Sequence, residues 1–275
     1  VFRKSIYKSP AQLRLMVEPG LLTEAALRAV REAIRPGVTT LELDAIAERT
    51  IRSGGGRPNF QLVPGYRHTI CASVGADVVH GIPDDVPLVA GDIVSIDCGA
   101  DVGGWNGDSA FTIVLDDPER PDVVRDRRAL SDVTERSMWA GIARLARARH
   151  LNEVGEAVQE AIESRGDFGI IVDYIGHGIG RSMHEAPPVF NYRVSHKGPD
   201  VKPGLAVAIE PMVVERGVET FVQDDDWTVT TVDGGMASHW EHSVAVHDDG
   251  IWVLTASDGG AAGLAPFGVT PVPIA

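Results

Sequence analysis

The chain has 275 residues, 44% of them hydrophobic and 23% charged, with a formal net charge of −14. That is ample apolar material for a buried core, and the acidic balance argues against nucleic acid as a general partner. No apolar run is long enough to span a bilayer, no signal-peptide core stands at the N-terminus, and Cys71 and Cys98 are too few for a disulfide framework, so a non-exported cytoplasmic protein is expected.

Ser9-Pro10 is a helix-opening pair that predicts a short helix to about Val17, with Pro19-Gly20 interrupting it. Leu21 to Ile34 carries apolar residues at helical spacing and stops at Pro36-Gly37. Thr39 to Glu42 reads as a capping box that opens a third helix, ended by Gly54-Gly55-Gly56. From Ile70 to Val114 short β-branched runs divided by Gly, Pro and Asp predict strands and hairpins. Helical pattern returns from about Val123 to Arg147 and from Asn152 to Ser164. After His177 the chain reads as strand to about Leu254, and the Gly/Pro-rich tail from Ser257 to Ala275 is expected to be loosely attached.

A weak internal echo runs through this order. Gly91 to Asp97, GDIVSID, and Gly204 to Glu210, GLAVAIE, both fit Gly-x-x-Val-x-Ile-acid. Upstream of each stands a His-x-x-Pro, at His80 to Pro83 and His184 to Pro187, and further upstream a helix ending near glycine. Self-similarity in preserved order implies two like halves packed about a pseudo-twofold.

Strand alternation puts Val94 and Ile96 on one face and Asp97 on the other, and does the same for Val207, Ile209 and Glu210. Either acid alone reads as an exposed strand end; their matched positions argue for more. Asp108 follows Asp97 across the Gly-rich turn in CGADVGGWNG, which folds a second strand back beside the first. Glu241 lies in HWEHSVAV, the pattern of a central strand. Four carboxylates converging in a core repel strongly unless cations hold them. Oxygen ligands with one imidazole suit Mn, Fe, Co or Zn. His177 is the natural imidazole, its flanking glycines letting a rigid loop bring it to the metal.

The motifs HGIP, SIDCG…GWNGDSA, GHGIGRSMHEAPPVFNY, PGLAVAIEPMV and WEHSVAV, in that order from about Ser9 to Thr255, resemble type I methionine aminopeptidases. The resemblance implies a pita-bread α/β fold, a curved antiparallel sheet flanked by helices, in a single catalytic domain. It implies two divalent metal ions on Asp97, Asp108, His177, Glu210 and Glu241, with Asp108 and Glu241 bridging. Metals roughly 3.5–4 Å apart would hold a bridging hydroxide and polarise the scissile carbonyl. Glu210 would also shuttle the proton to the leaving amine, His184 would stabilise the tetrahedral oxyanion, and His80 would bond the peptide beyond the scissile bond.

The resemblance also places Phe60, Val63, Tyr66, Cys71, Met183 and Trp227 around the substrate side chain, with aliphatic Val63 and Met183 where aromatics are usual, which predicts a wider pocket. His239 stands where Gln is common and bears on hydrogen bonding to the ligands. The implied substrate is the N-terminal peptide of nascent chains, giving up Met before a small second residue. Ribosome contact rests on the resemblance alone, because the arginine run from Arg125 to Arg149 reads as a solvated helix face. A monomer is expected, without heptads or extra modules.

His68, His150, His196 and His247 read as surface residues, and His242 faces away from Glu241. Cys71 and Cys98 read as small apolar fillers. GHGIG lacks the Lys-Ser/Thr of a phosphate loop, and HEAPP lacks the second His of a zincin. Three rivals stand beside the main reading. A prolidase or aminopeptidase P would carry a large domain ahead of His80. A type II methionine aminopeptidase would carry an insertion between His177 and Glu241. A non-catalytic protein of this fold would have lost metal ligands.

Overall fold

The structure is a computed structural model and describes residues 5–275; the first residues of the stretch read for an export signal lie outside them. The helices are α1 (Pro10–Ala33), α2 (Thr40–Ser53), α3 (Pro121–Leu145), α4 (Glu153–Glu163) and the short α5 (Ala261–Leu264). The first-half strands are β1 (Arg57–Pro58), β2 (Ile70–Val74), β3 (Asp77–Val79), β4 (Ile93–Val102) and β5 (Trp105–Val114). Those of the second half begin with β6 (Gly169–Ile170), β7 (Gly176–Gly178), β8 (Glu185–Val189), β9 (Ala206–Ile209) and β10 (Met212–Val214). They end with β11 (Thr220–Val222), β12 (Val229–Thr231), β13 (Ala237–His239), β14 (Glu241–His247) and β15 (Gly250–Val253).

Nine strands form one curved antiparallel sheet in the order β1-β4-β5-β14-β9-β7-β8, with β2 added to β4 and β15 to β14. The echoed segments thus occupy equivalent places: β4 lies one strand outside β5, β9 one strand outside β14, and β5 and β14 meet in the middle. Two three-stranded sheets, β13-β10-β6 and β11-β12-β3, complete the strand layer. Helices α1 and α2 pack on the first half and α3 and α4 on the second. Their shared core includes Leu43, Ile142, Val94, Ile96, Phe111, Val207, Ile209 and Val244, all buried. Because side chains alternate along a strand, the face opposite that core receives Asp97, Asp108, Glu210 and Glu241.

Four expectations are corrected. Pro19 does not interrupt α1, which runs unbroken with Pro19 inside it. The carbonyl deprived of its helical donor is that of Leu15, a residue 54% exposed, where water can bond it. Gly20 is there for contact, since a Cβ on it would lie 2.4 Å from the Leu254 carbonyl oxygen. Asp97 is not a strand end, because the long β4–β5 hairpin and the β1 pairing carry β4 on to Val102. His177 lies on a strand, β7, not on a loop. Its glycines admit neighbouring backbone: a Cβ on Gly176 would meet the Ala208 carbonyl oxygen at 2.4 Å and one on Gly178 that of Ala186 at 2.2 Å. The tail is docked, with Leu264 fully buried, Val272 donating to the Ile251 carbonyl and Arg14 donating to the Ala275 carbonyl (2.7 Å).

The capping boxes at Ser9 and Thr39 both form, with Gln12 and Glu42 reaching back to the cap backbone. No helix among the described residues is long and apolar enough to cross a membrane.

Candidate metal centre and substrate pocket

Asp97 sits in the middle of β4 opposite Ala110, and Asp108 sits on β5 opposite Gly99. Glu241 opens β14 opposite the same Ala110, which brings it across the seam from both aspartates. Few residue pairs register along that seam, and hydroxyls stitch it: Ser109 donates to the Glu241 carbonyl (2.6 Å) and Ser243 to that of Asp108 (2.7 Å). Glu210 follows directly on β9, where buried Asn191 donates to its carbonyl (3.1 Å). From β7, His177 Nε2 reaches within 3.3 Å of Glu210 Oε1 and 4.0 Å of Asp108 Oδ2.

The ligand atoms fall into overlapping triads whose members all lie within 4.8 Å of one another: Asp97, Asp108 and Glu241; His177, Glu210 and Glu241; Asp108, His177 and His184. Asp108 and Glu241 each belong to two triads. Asp97 Oδ1, Asp108 Oδ1, Glu210 Oε1 and Glu241 Oε1 are all buried with no hydrogen-bond partner. Native proteins rarely leave a polar atom so, let alone four acids together. Burial first, then mutual repulsion, pushes the carboxyls of Asp108, Glu210 and Glu241 far above the usual carboxylate range. Burial brings Asp97 to about 7 and holds His177, with help from His184, down at about 4. Divalent cations remove the mismatch, because they need deprotonated carboxylates and a neutral imidazole together. The donor set fits them.

His184 stands edge-on to His177, with ring centroids 4.3 Å apart. Its loop is stapled by Glu185, which pairs with Lys8 (3.1 Å) and accepts from the Ser182 backbone (3.0 Å). His80 has the left-handed φ of 60°, a strained conformation for a non-glycine residue that turns the chain sharply after β3. Its ring lies against Tyr174 (5.6 Å), and burial, with a smaller push from His184, lowers its pKa to about 4.

A cavity of about 140 Å³ opens over this cluster and is lined by Phe60, Val63, Tyr66, Cys71, Met183 and Trp227 together with the four acids, His80, His177 and His184. Every residue named from the sequence as ligand, catalytic group or pocket wall therefore borders one space. Phe60 and Trp227 both stand edge-on to Tyr66 (6.3 and 5.0 Å), and the Tyr66 hydroxyl donates to the Ile70 carbonyl (2.7 Å). Asp225 fixes the turn that presents Trp227 by accepting from its backbone (2.8 Å). The sequence reading missed Val79, which lines the cavity beside His80, and Ile82, which packs against the Phe60–Tyr66–Cys71 cluster; their place at the His-x-x-Pro motif was the available signal. It also missed Asn191, a polar residue in an apolar run. A larger cavity, about 530 Å³ between α3 and the tail, shares no residue with this cluster.

His242 packs against Trp139 and bonds Thr255 (2.8 Å) on the helix-covered face, as alternation predicts. His68, His150, His196 and His247 lie outside the centre, each held to a neighbour: Asp44, Asp200, Asn152 and the Val272 carbonyl. Burial raises both cysteine thiols, so neither is activated.

Residues 14–248 match the family described as Metallopeptidase family M24. The chain belongs to that family. Within it, the chain is 45% identical over 254 residues to methionine aminopeptidase 1 of Mycobacterium tuberculosis, covering 90% of this chain and 94% of the relative. Identity to methionine aminopeptidase 1 of Bacillus subtilis is 39%, over 91% of this chain and 98% of the relative. The crystal structure of methionine aminopeptidase from Thermotoga maritima superposes with a TM-score of 0.85 at 35% identity, covering 91% of this chain and 99% of that one. The M24 fold is thus the pita-bread architecture expected from the motifs, and the chain is a metal-dependent hydrolase.

Proposed function

We propose that this M24 member is a methionine aminopeptidase that removes the N-terminal Met of nascent proteins and peptides, with a small second residue preferred. The observation that carries the reading is the convergence of five candidate ligands, four of them acids with unpaired buried oxygens, on the floor of a small aromatic pocket. Asp97, Asp108 and Glu241 would hold one divalent cation and His177, Glu210 and Glu241 a second, with Asp108 within 4.0 Å of His177. Bound there, the pair supplies an activated water nucleophile and a Lewis acid for the scissile carbonyl.

The protein's own groups do the rest. Phe60, Tyr66, Trp227 and Met183 grip the thioether side chain, because sulfur packs well against ring edges and polarisable neighbours. Glu210 accepts the proton from the attacking water and returns it to the leaving amine. His184 donates to the oxyanion that develops on the carbonyl oxygen. His80, on its fixed turn, bonds the peptide beyond the scissile bond. The whole chain acts as one catalytic unit in the cytoplasm, as a monomer.

Prolidase of Pyrococcus furiosus shares the fold at 20% identity, but this chain spans only 66% of its length. A chelated sample given Mn or Co is expected to hydrolyse Met-Ala-Ser and to leave a Gly-Pro peptide intact. Preference for the Pro substrate would favour prolidase, and cleavage of neither would favour a binding protein.

A further inference from the structure

Both oxygens of the Glu210 carboxylate face an imidazole. Oε1 lies 3.3 Å from His177 Nε2, and Oε2 lies 3.7 Å from His239 Nε2. His177 has a role as a cation ligand; His239 has none so far. Its side chain is almost wholly buried, the residue being 1% exposed, and its Nε2 has no hydrogen-bond partner. Such an atom calls for an explanation.

The anchoring of the residue narrows the explanation. The backbone N–H of His239 donates to Ser95 Oγ (3.2 Å) and Thr112 Oγ1 (3.0 Å), and Thr112 Oγ1 donates to the His239 carbonyl (2.8 Å). Ser238 Oγ joins the same hydroxyl cluster by donating to Thr112 (3.1 Å). Across the strand pair His239 registers with Met212, two residues past Glu210. None of these bonds uses the imidazole, so they would hold any side chain in place. What the imidazole adds is a ring nitrogen aimed at one oxygen.

We propose that His239 is a positioning residue for Glu210. With its proton on Nε2 it donates to Glu210 Oε2 and stops the carboxylate from rotating. Oε1 then stays on the cation side, and Oε2 keeps a second lone pair for catalysis. The attacking water gives a proton to that lone pair as its oxygen bonds the carbonyl carbon. When the C–N bond breaks, the departing nitrogen takes the same proton from Oε2. The 3.7 Å separation is about half an ångström beyond hydrogen-bond length, a gap of the kind that catalytic contacts close when substrate binds. The inference rests on the reading of Glu210 as proton carrier in a methionine aminopeptidase.

The test compares His239→Leu, which fills the space without a donor, with His239→Gln, which restores one. Turnover of Met-Ala-Ser by the Mn-loaded enzyme, KM, and the thermal midpoint of the chelated protein are measured together. The expectation for His239→Leu is a fall in kcat of roughly 10- to 100-fold, the scale seen when a group supporting a metal ligand is lost. KM should be little changed, and the thermal midpoint unchanged or higher, since an unpaired polar atom has left the interior. His239→Gln should return kcat to near the wild-type value. The proposal is overturned if His239→Leu turns over like wild type, if His239→Gln is as slow as His239→Leu, or if kcat falls only in step with the thermal midpoint. Should the leucine variant not fold, His239→Met makes the same comparison with a flexible apolar chain. Failure of the wild-type enzyme to cleave Met-Ala-Ser would instead count against the functional reading itself.

Discussion

His80 and His184 both border the cavity over the cluster of acids, and each is held by its own local device. For His80 the device is the left-handed turn after β3; for His184 it is the Lys8–Glu185 staple next to it in the chain. Neutral imidazoles held near a reacting carbonyl serve as donors whose value appears when charge develops on oxygen. His184→Ala is therefore expected to lower kcat by about 10²- to 10³-fold, the usual cost of losing an oxyanion donor. Metal binding, followed by calorimetry, should be nearly unchanged. A large loss of metal affinity would instead make His184 a ligand, the role that its place in a triad with Asp108 and His177 leaves open. At this scale the sequence was informative because chemistry restricts the choice of residue: few side chain types hold a divalent ion, and acids and imidazoles stood in matched places. Asn191 and Ile82 were not legible for the opposite reason, since their importance comes from what they touch and not from what they are.

Elements were legible where their signals are local. The helix-opening cap at Ser9, the capping box at Thr39 and the Gly103-Gly104 turn between β4 and β5 depend on a few adjacent residues, and they form as read. Pro19, the glycines about His177 and the tail were misread because their roles depend on distant partners: the Leu254 carbonyl, the backbones of β8 and β9, and β15. These contacts separate stability from chemistry in a way that can be measured. Gly20→Ala and Gly178→Ala both drive a methyl into a carbonyl that cannot give way. Each should destabilise the protein by about 1–3 kcal/mol, read from urea midpoints. Gly178→Ala should also cost activity, because the displaced strand carries His177, whereas folded Gly20→Ala enzyme should turn over normally. Equal activity losses in the two variants would contradict this assignment of roles.

On the scale of the whole molecule, a centre of four buried acids makes folding sensitive to protons and cations. In chelated protein, burial raises all four carboxyls above their unfolded value of about 4, bringing Asp97 to about 7, and mutual repulsion adds to the rise of Asp108, Glu210 and Glu241. Near pH 7 and above the folded acids hold protons that the unfolded ones have lost, so their contribution to stability falls as pH rises through about 7. Buried His80, His177, His239 and His242, held at about 4 or lower, act in the opposite sense only below about pH 6.5. Bound cations reverse the sign, because they require the deprotonated ligands. Urea midpoints at pH 7 and pH 8, with EDTA and with Mn, should move in opposite directions; parallel shifts would mean that the acids do not share a site. The arginines of α3 show the same balance at the surface: Arg125 and Arg128 pair with Asp122, Asp126 and Asp116, and Arg144 with Glu153. That pairing supports a solvated face.

The seam between β5 and β14 divides the ligands unequally. Everything up to Val114 contributes two aspartates, and everything after Gly176 contributes a histidine and two glutamates. A peptide of half this length would hold an incomplete coordination sphere and could finish it only by docking with a second copy of itself or with the missing half. Tight capture of the ions therefore reports that both halves have closed, which would let a newly made chain become an enzyme only once its last long strand is in place.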